Sequence, residues 1–468
     1  MTGGRLDPAS ASVSERLAAF ALGVRYEAIP PEVVTLAKGH FLDVAGIALA
    51  SSRFDFGTAV LAGTLELGAG IGANALGSGQ PLAPASAALV NGTLAHGLDF
   101  DDTHVAAIYH ASAPAFAAVL AAGQASGASG RDVLVAYIVA LEIGCRLAES
   151  AAGAFHDRGF HPTSQCGTFA AAAAAARLHG DSEPTLVNAL GLCGSMASGI
   201  LELRESWLKR LHPGWAAHAG IVGASLARGG FRGPRTVFEG PLGFYASHIQ
   251  RVPSGADDPA HDIGRRWTTL GIALKPYPCC HFIHAFVDAA LVLRGQLEVD
   301  DIERIDCPLT DRLQPQVGQP RERRIRPPTI YDALFSVPYV VALALVQGRV
   351  DLASFYDQPL DDPKVLALAE RTFCPDDPDS DYPAHFPGEV RITLRDGRVL
   401  RRREAASRGT PERRLTAGEI EDKYYANATR ALSHPQAQRI ASLIWDLERL
   451  DRIEELVAAC VADSGGTT

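Results

Sequence analysis

The segment NGTLAHGLDFDDTH, residues 91–104, combines two histidines with three carboxylates directly after a stretch without formal charge. Imidazole and carboxylate groups can exchange protons near neutral pH, and they can also bind metal ions. Three explanations are open at this point: a catalytic cluster, a metal site or a solvated loop. If residues 93–104 are helical, His96, Asp99 and Thr103 share one face at a spacing of i, i+3 and i+7.

The neighbouring polar residues favour the first explanation. On such a helix the pair Asp101–Asp102 would point elsewhere, and a metal could bind His96, Asp99 and His104. That spacing matches no strong metal-ligand motif, so we predict no metal there. A protein core rarely contains so many polar groups unless they have a function, because burying them is costly. Their number therefore favours a catalytic cluster.

A second segment, GFHPTSQCGTFAAAAAAARLHG at residues 159–180, predicts the start of a helix. Thr163 or Ser164 can cap it, and the alanine run is an excellent helix former. The amides of Gln165–Thr168 would then face the space before the helix, where a carboxylate or phosphate can bind. His161 would lie at the mouth of this site. The alternative is an ordinary helix start with a surface histidine.

A third segment, SWLKRLHPGWAAHAG at residues 206–220, places Lys209 and His212 one helical turn apart beside two tryptophans. Lys209 is either a surface residue with an apolar stem or the cation that holds an anionic substrate.

The fourth segment is KPYPCCHFIHAFVDAAL, residues 275–291. Its prolines favour an extended entry, and a helix is expected from about Phe282. Four of its side chains could line an opening: Lys275, Tyr277, Cys280 and His281. The alternative is a domain hinge whose polar groups meet water.

Composition excludes several classes of partner. The chain has 43 basic and 53 acidic residues, a net charge of −10, which argues against nucleic acid. No signal peptide is visible at the start and no window resembles a membrane-spanning helix, so we expect no membrane partner. The eight scattered cysteines indicate a reduced, cytoplasmic protein.

The elements that must position these residues are mainly helices. A chain of 468 residues favours two domains. Helical spacing is visible in seven segments of the first part: residues 14–23, 32–50, 85–94, 114–123, 131–150, 168–178 and 183–196. Their small residues allow close helix packing. We therefore predict an all-helical domain over residues 1–270.

The sequence pattern changes near Lys275 from helical spacing to the alternation of apolar and polar residues. Alternating residues predict a strand in 302–309 and a hairpin in 389–404 with its turn at Asp396-Gly397. One helix, Tyr331–Val346, is expected between them. We predict a smaller, lid-like α+β domain over residues 271–404, inserted before a helical tail, 405–468, that returns to the first domain. A continuous apolar stripe from Ile440 to Leu456 supports this tail.

The four segments together resemble the MmgE/PrpD family of 2-methylcitrate dehydratases, cis-aconitate decarboxylases and iminodisuccinate epimerases. GFRGPRTVFEG and FSVPYVVALAL add to the likeness, which covers most of the chain. The resemblance implies a large helical and a smaller α+β domain with the active site in the cleft between them. It also implies a homodimer that needs no metal or organic cofactor.

The same resemblance implies roles for individual residues. Catalytic positions carried over by motif are Asp99, Thr103, His110, His161 and Lys209. Substrate-binding candidates are Ser164, Gln165, His212, Lys275, Tyr277, Cys280 and His281. The family's decarboxylases carry histidine where this chain has Cys280, which argues against decarboxylation, and many dehydratase-like members carry arginine at His281.

We therefore predict a hydratase or dehydratase of a small hydroxy di- or tricarboxylate such as 2-methylcitrate. Asp99 and His161 would transfer protons, and His110 and His212 are the alternative proton-transfer groups. Thr103 would orient a substrate oxygen or Asp99. Lys209, Lys275 and the amides after Ser164 would hold carboxylates. An epimerase or a decarboxylase is the alternative within the family. A catalytically silent dimer that binds an anionic metabolite is the alternative from another class.

Overall fold

The structure, a computed structural model, describes residues 11–68, 70–203, 206–382 and 384–462. The chain forms two compact units, residues 1–272 with 416–468, and residues 273–415. The first unit is mainly helical and the second combines helices with a four-stranded sheet, so the predicted fold class is confirmed. The domain boundaries given above stay predictions.

The first unit is built from helices that follow the predicted segments closely. They are Val13–Gly23, Pro31–Ser51, Asp55–Glu66, Pro84–Ala95, Ser112–Ser126, Gly130–Glu149, Ala154–Asp157, Pro162–Leu178, Glu183–Cys193, Leu208–Arg228, Phe244–Ile249, Ala417–Ala428, His434–Trp445 and Glu454–Ala459. Short strands occur at Ala73–Asn74, Pro81–Leu82 and Thr103–His104, and Ile272–Ala273 lies where the units divide.

The apolar stripe from Ile440 to Leu456, on which the prediction of a helical tail rests, is divided between two α-helices. A single 3₁₀ turn, Leu447–Arg449, separates them. The reason is that the backbone leaves the helical ladder to bond a distant loop: the Leu450 carbonyl accepts from the Gly130 amide at 2.9 Å.

Close helix packing in the first unit depends on glycine. A β-carbon at Gly92 would lie 2.7 Å from the Gly214 α-carbon, and one at Gly220 would lie 2.5 Å from the Ala171 β-carbon. These contacts bring the helices Pro84–Ala95 and Pro162–Leu178 against Leu208–Arg228, the helix that carries Lys209 and His212. The expectation that small residues permit close approach is confirmed at these positions.

The helix Pro31–Ser51 is long and apolar enough, by length and composition alone, to cross a membrane. The expectation that no window resembles such a helix was therefore wrong for this segment. However, 83% of its most apolar window is buried inside the protein, as in the core helix of a packed domain.

The second unit is organised around its sheet. Its strands lie in the order Thr372–Phe373, Ile302–Asp306, Gly388–Leu394 and Val399–Glu404. The first pair is parallel and the others are antiparallel, and the predicted hairpin is confirmed. The α-helices of this unit are His284–Arg294, Arg321–Ile325, Ile330–Leu334, Val337–Gln347, Leu352–Tyr356 and Pro363–Ala369.

The single helix expected over Tyr331–Val346 is wrong. One helix ends at Leu334 and the next begins at Val337, with Pro338 in its first turn. Proline has no amide hydrogen to continue a helix, and it is favoured where that hydrogen would be unused. The Ser336 hydroxyl caps the second helix by accepting from the Tyr339 amide.

Candidate active site

Residues 96–110 form a loop and not a continuation of the helix Pro84–Ala95. The conditional prediction of a helix through residue 104 is therefore wrong. Asp99 has a left-handed backbone (φ 51°), which interrupts helical geometry, and Thr103–His104 is extended. Aspartate tolerates this conformation better than most residues. The positions of these side chains follow from the path of the loop and not from a shared helix face.

The two neighbouring aspartates of this loop point into the protein. Asp101 and Asp102 are 0% and 1% exposed. Asp101 Oδ1 accepts a hydrogen bond from His96 Nδ1 at 2.7 Å, and His96 is itself fully buried. The solvated-loop explanation is therefore excluded.

Asp102 fixes the loop to the helices behind it. His40 Nδ1 donates to Asp102 Oδ2 at 2.5 Å, and the Ser112 amide donates to Oδ1 at 3.0 Å. The Ser112 hydroxyl, which also donates to Asp102, accepts from the Tyr137 hydroxyl at 2.6 Å. Burial alone would raise the pKa of Asp102, but His40 and Ser112 hold it below its ordinary value. Asp102 thus has a structural role.

His110 is held in one orientation by backbone contacts. Its Nδ1 donates to the Asp102 carbonyl at 2.8 Å, and its own amide donates to Thr163 Oγ1 at 3.1 Å. Because a carbonyl only accepts, the neutral ring carries its proton on Nδ1 and its lone pair on Nε2. Thr103 Oγ1 lies 3.5 Å from the same Nδ1.

The helix after His161 begins earlier than predicted. It spans Pro162–Leu178 with His161 as its N-cap and without a side-chain cap, so capping by Thr163 or Ser164 is wrong. The Gln165 amide already bonds the His161 carbonyl at 3.2 Å, and the following amides lie inside the helix. The carboxylate site predicted at the amides of Gln165–Thr168 is therefore wrong as well.

Four imidazole rings from three elements meet beside this helix start: His96, His110, His161 and His212. We call them the histidine cluster. Ring centroids of His96 and His110 are 4.6 Å apart, and those of His161 and His212 are 5.0 Å apart. The ring centroid of His161 lies 6.1 Å from that of His96 and 6.0 Å from that of His110. His104, the third metal ligand considered above, does not belong to the cluster, and a β-carbon added at Gly271 would lie 2.8 Å from its Nε2.

His161 and His212 contact each other directly through Nδ1 atoms 2.9 Å apart. One Nδ1 must carry a hydrogen and the other must accept it, so the two tautomers are coupled. Burial is the main cause that lowers the pKa of His161 well below its ordinary value and that of His212 to about 4. The nearby cation Lys209 acts in the same direction on both rings. The pair is neutral at physiological pH.

Lys209 and Asp99 form a partly buried ion pair. Lys209 Nζ lies 2.7 Å from Asp99 Oδ2, and their side chains are 18% and 12% exposed. The next residue, Arg210, donates to the Gly97 carbonyl at 2.6 Å. The predicted helical turn between Lys209 and His212 is confirmed, since both lie in Leu208–Arg228.

The side chain of Gln165 is fully buried, and neither its oxygen nor its nitrogen has a hydrogen-bond partner among the described residues. The Ser164 hydroxyl instead donates to the His212 carbonyl at 3.3 Å. Ser164 therefore supports the backbone beside His212, whereas Gln165 keeps its full hydrogen-bonding capacity.

The fourth predicted group lies in the second unit and is buried there. Lys275, Tyr277, Cys280 and His281 are 2%, 5%, 8% and 6% exposed, which excludes a hinge exposed to water. The Tyr277 hydroxyl donates to Asp288 Oδ1 at 2.6 Å, and burial raises the pKa of Tyr277. His281 packs on His284 and Phe386. The helix of this segment begins at His284, after a 3₁₀ turn at His281–Ile283.

Sequence reasoning missed the groups that support the loop from other helices. His40 and Tyr137 lie in helices that mainly contribute apolar core. The signal in the sequence was a polar residue within an apolar helical segment. Such a residue indicates a hydrogen-bond partner elsewhere in the fold, because a buried polar group needs one.

Comparisons with known proteins identify the family. Residues 15–254 match the model of the MmgE/PrpD N-terminal domain, and residues 277–449 match that of the C-terminal domain. Cis-aconitate decarboxylase of Homo sapiens is 31% identical over 393 residues, covering 80% of this chain and 79% of the relative. Cis-aconitate decarboxylase of Aspergillus terreus is 26% identical, with 96% of both chains covered. The 2-methylcitrate dehydratase of Cupriavidus necator is 25% identical, covering 91% of this chain and 92% of the relative. The chain belongs to the MmgE/PrpD family.

Proposed function

We propose that this protein is a lyase that decarboxylates a small tricarboxylate of the cis-aconitate type without a cofactor. Relatives named for this activity match the chain over most of its length at 26% to 31% identity, against 25% for the dehydratase. Despite Cys280, the comparisons thus favour the activity that the sequence analysis gave as an alternative over its first choice.

The observation that carries the proposal is the neutral His161–His212 pair next to the Lys209–Asp99 ion pair. When CO₂ leaves such a substrate, the remaining electron pair can delocalise through the adjacent double bond to the carbon beside a second carboxylate. That carbon must then receive a proton. The N–H of one ring would donate it while the hydrogen between the two Nδ1 atoms moves across from the other ring, and the pair would regain a proton from water when the product leaves.

Lys209 supplies the positive charge that this intermediate requires. Its ammonium group would share its interactions between Asp99 and a substrate carboxylate, and partial burial strengthens both. Gln165 would donate to a substrate oxygen, since its side chain is buried with unused hydrogen-bonding groups. His110, oriented by Asp102, presents its Nε2 lone pair as a second proton acceptor.

The experiment offers purified protein cis-aconitate, 2-methylcitrate and a small imino- or aminodicarboxylate in D₂O. We expect CO₂ release and a product with one deuterium from the first acid. Formation of a conjugated double bond from 2-methylcitrate, without CO₂ release from cis-aconitate, would establish the dehydratase instead. If the imino- or aminodicarboxylate exchanges one C–H hydrogen for deuterium and its mass changes in no other way, the protein is the epimerase.

A silent binding protein is the candidate from another class. It would bind a tricarboxylate, and so be stabilised against heat, without deuterium incorporation into any of these acids.

Three further expectations stay predictions: a homodimeric state, a cytoplasmic location, and substrate contacts by Lys275, Tyr277, Cys280 and His281. Light scattering on the purified protein tests the dimer.

A further inference from the structure

Part of the site has the composition of a metal-binding site. His96, Asp99, Asp101 and His110 each offer one ligand atom, and these atoms lie within 4.8 Å of one another. The four residues come from one loop and are at most 9% exposed as whole residues.

Two atoms of this group are buried without a hydrogen-bond partner among the described residues, His96 Nε2 and Asp101 Oδ2. Asp101 Oδ2 lies 3.6 Å from His110 Nδ1, so it points into the group and not away from it. Such bare polar atoms are costly in a protein interior unless a ligand or an ion satisfies them.

The hydrogen bonds that do exist prepare the histidines to bind a metal. His96 Nδ1 donates to a carboxylate, which leaves its lone pair on Nε2. His110 Nδ1 donates to a backbone carbonyl, which leaves its lone pair on Nε2 as well. Donation from the second ring nitrogen to a carboxylate or carbonyl is how metal-binding histidines are commonly oriented.

We propose that His96, Asp99, Asp101 and His110 bind a divalent transition-metal ion of the zinc type, and that this ion inhibits the enzyme. Two imidazole nitrogens with carboxylate oxygens suit zinc and cobalt better than magnesium or calcium. Inhibition follows from the Lys209 ion pair: Lys209 Nζ lies 2.7 Å from Asp99 Oδ2, so a dication on Asp99 competes with it. Binding is independent of the proposed function, whereas inhibition rests on it.

The test uses full-length protein dialysed against a chelator and titrated with Co²⁺. We expect a single ion per chain, with visible absorption of a nitrogen and oxygen site and without the intense thiolate bands that cysteine ligands would give. Asp101→Asn and His96→Ala should each weaken binding by about tenfold or more. Lys209→Met should tighten it severalfold, because the competing cation is gone.

The control is His385→Ala, which removes the exposed His385–Asp381 pair, a typical adventitious surface site. It should leave Co²⁺ binding unchanged. Absence of Co²⁺ binding to the unmodified protein, thiolate bands, or loss of binding only in the control would overturn the proposal. Because the first titration needs no variant, a folding defect in His96→Ala leaves the test decisive.

A second measurement separates binding from inhibition. Zn²⁺ should reduce turnover of the tricarboxylate, and excess chelator should restore it. Zn²⁺ binding with unchanged turnover would contradict the competition with Lys209. Absence of turnover with every acid would instead contradict the proposed function and leave the binding result standing.

Discussion

Two groups of buried polar residues in the first unit differ in how completely they are paired. Arg146 donates to Glu142 at 2.6 Å, to the His261 carbonyl at 2.6 Å and to Asp262 at 3.0 Å. Glu142 also accepts from the amides and one hydroxyl of Thr268–Thr269. We call this the arginine network.

The histidine cluster is equally buried but incompletely paired. His96 Nε2 and both polar atoms of the neighbouring Gln165 side chain are without hydrogen-bond partners among the described residues. His161 and His212 are kept neutral by burial. A fully satisfied network fixes a fold, whereas a partly satisfied one is expected where a ligand completes it. The difference distinguishes a structural interior from a functional one.

The largest expected effect is on turnover. His161→Asn should lower kcat by about 10³-fold or more, because positioned acid–base catalysis contributes that much. The melting temperature should change little, since the ring belongs to the incompletely paired group. Steady-state kinetics with a thermal melt checks both. His218→Asn, on the same helix as His212, is the matched control and should retain normal kcat.

Arg146→Met should have the opposite profile. Leaving Glu142 buried and unpaired should lower the free energy of unfolding by about 3–5 kcal/mol, while kcat per folded molecule stays unchanged. Urea denaturation measures this. The double variant Glu142→Leu/Arg146→Met should recover part of the loss. A single variant within about 1 kcal/mol of the unmodified protein would refute the structural role of the arginine network.

Acid should act through the buried histidines. The pKa of His212 and of His156 is lowered to about 4, mainly by burial, so the unfolded chain takes up their protons first. The free energy of unfolding should therefore fall as the pH drops from about 6.5 to about 4. Urea denaturation across that range checks it. His212→Asn should flatten the dependence, whereas Arg146→Met should leave its slope unchanged.

The smallest expected effect concerns Gln165. Because its amide group has no hydrogen-bond partner among the described residues, Gln165→Leu should change the free energy of unfolding by less than about 1 kcal/mol, or raise it. KM for the tricarboxylate should increase, since a substrate contact is lost. Denaturation and kinetics on one preparation provide both values. Marked destabilisation would show that Gln165 belongs with the structural interior.

The helical body and the hairpin at Asp396-Gly397 could be predicted because apolar periodicity and turn residues are local signals. Local signals failed where tertiary contacts decide. The helix expected through residue 104 ends at Ala95, and the chain at Leu450 bonds a distant loop. The partners of Asp102 could not be predicted either, since His40 and Tyr137 come from separate helices. The pKa values depend on burial, which only the folded chain defines.

The glycine contact between residues 92 and 214 has a consequence for substrate size. Gly214 follows His212 by two positions, and a β-carbon there would lie 2.2 Å from the Leu89 carbonyl oxygen. The spacing between the helix that carries His212 and the helix that leads to His96 is thus fixed by main chain against main chain. A change of side-chain rotamer cannot widen this helix spacing. Variants selected to accept bulkier acids should therefore carry their substitutions outside this helix contact and retain both glycines.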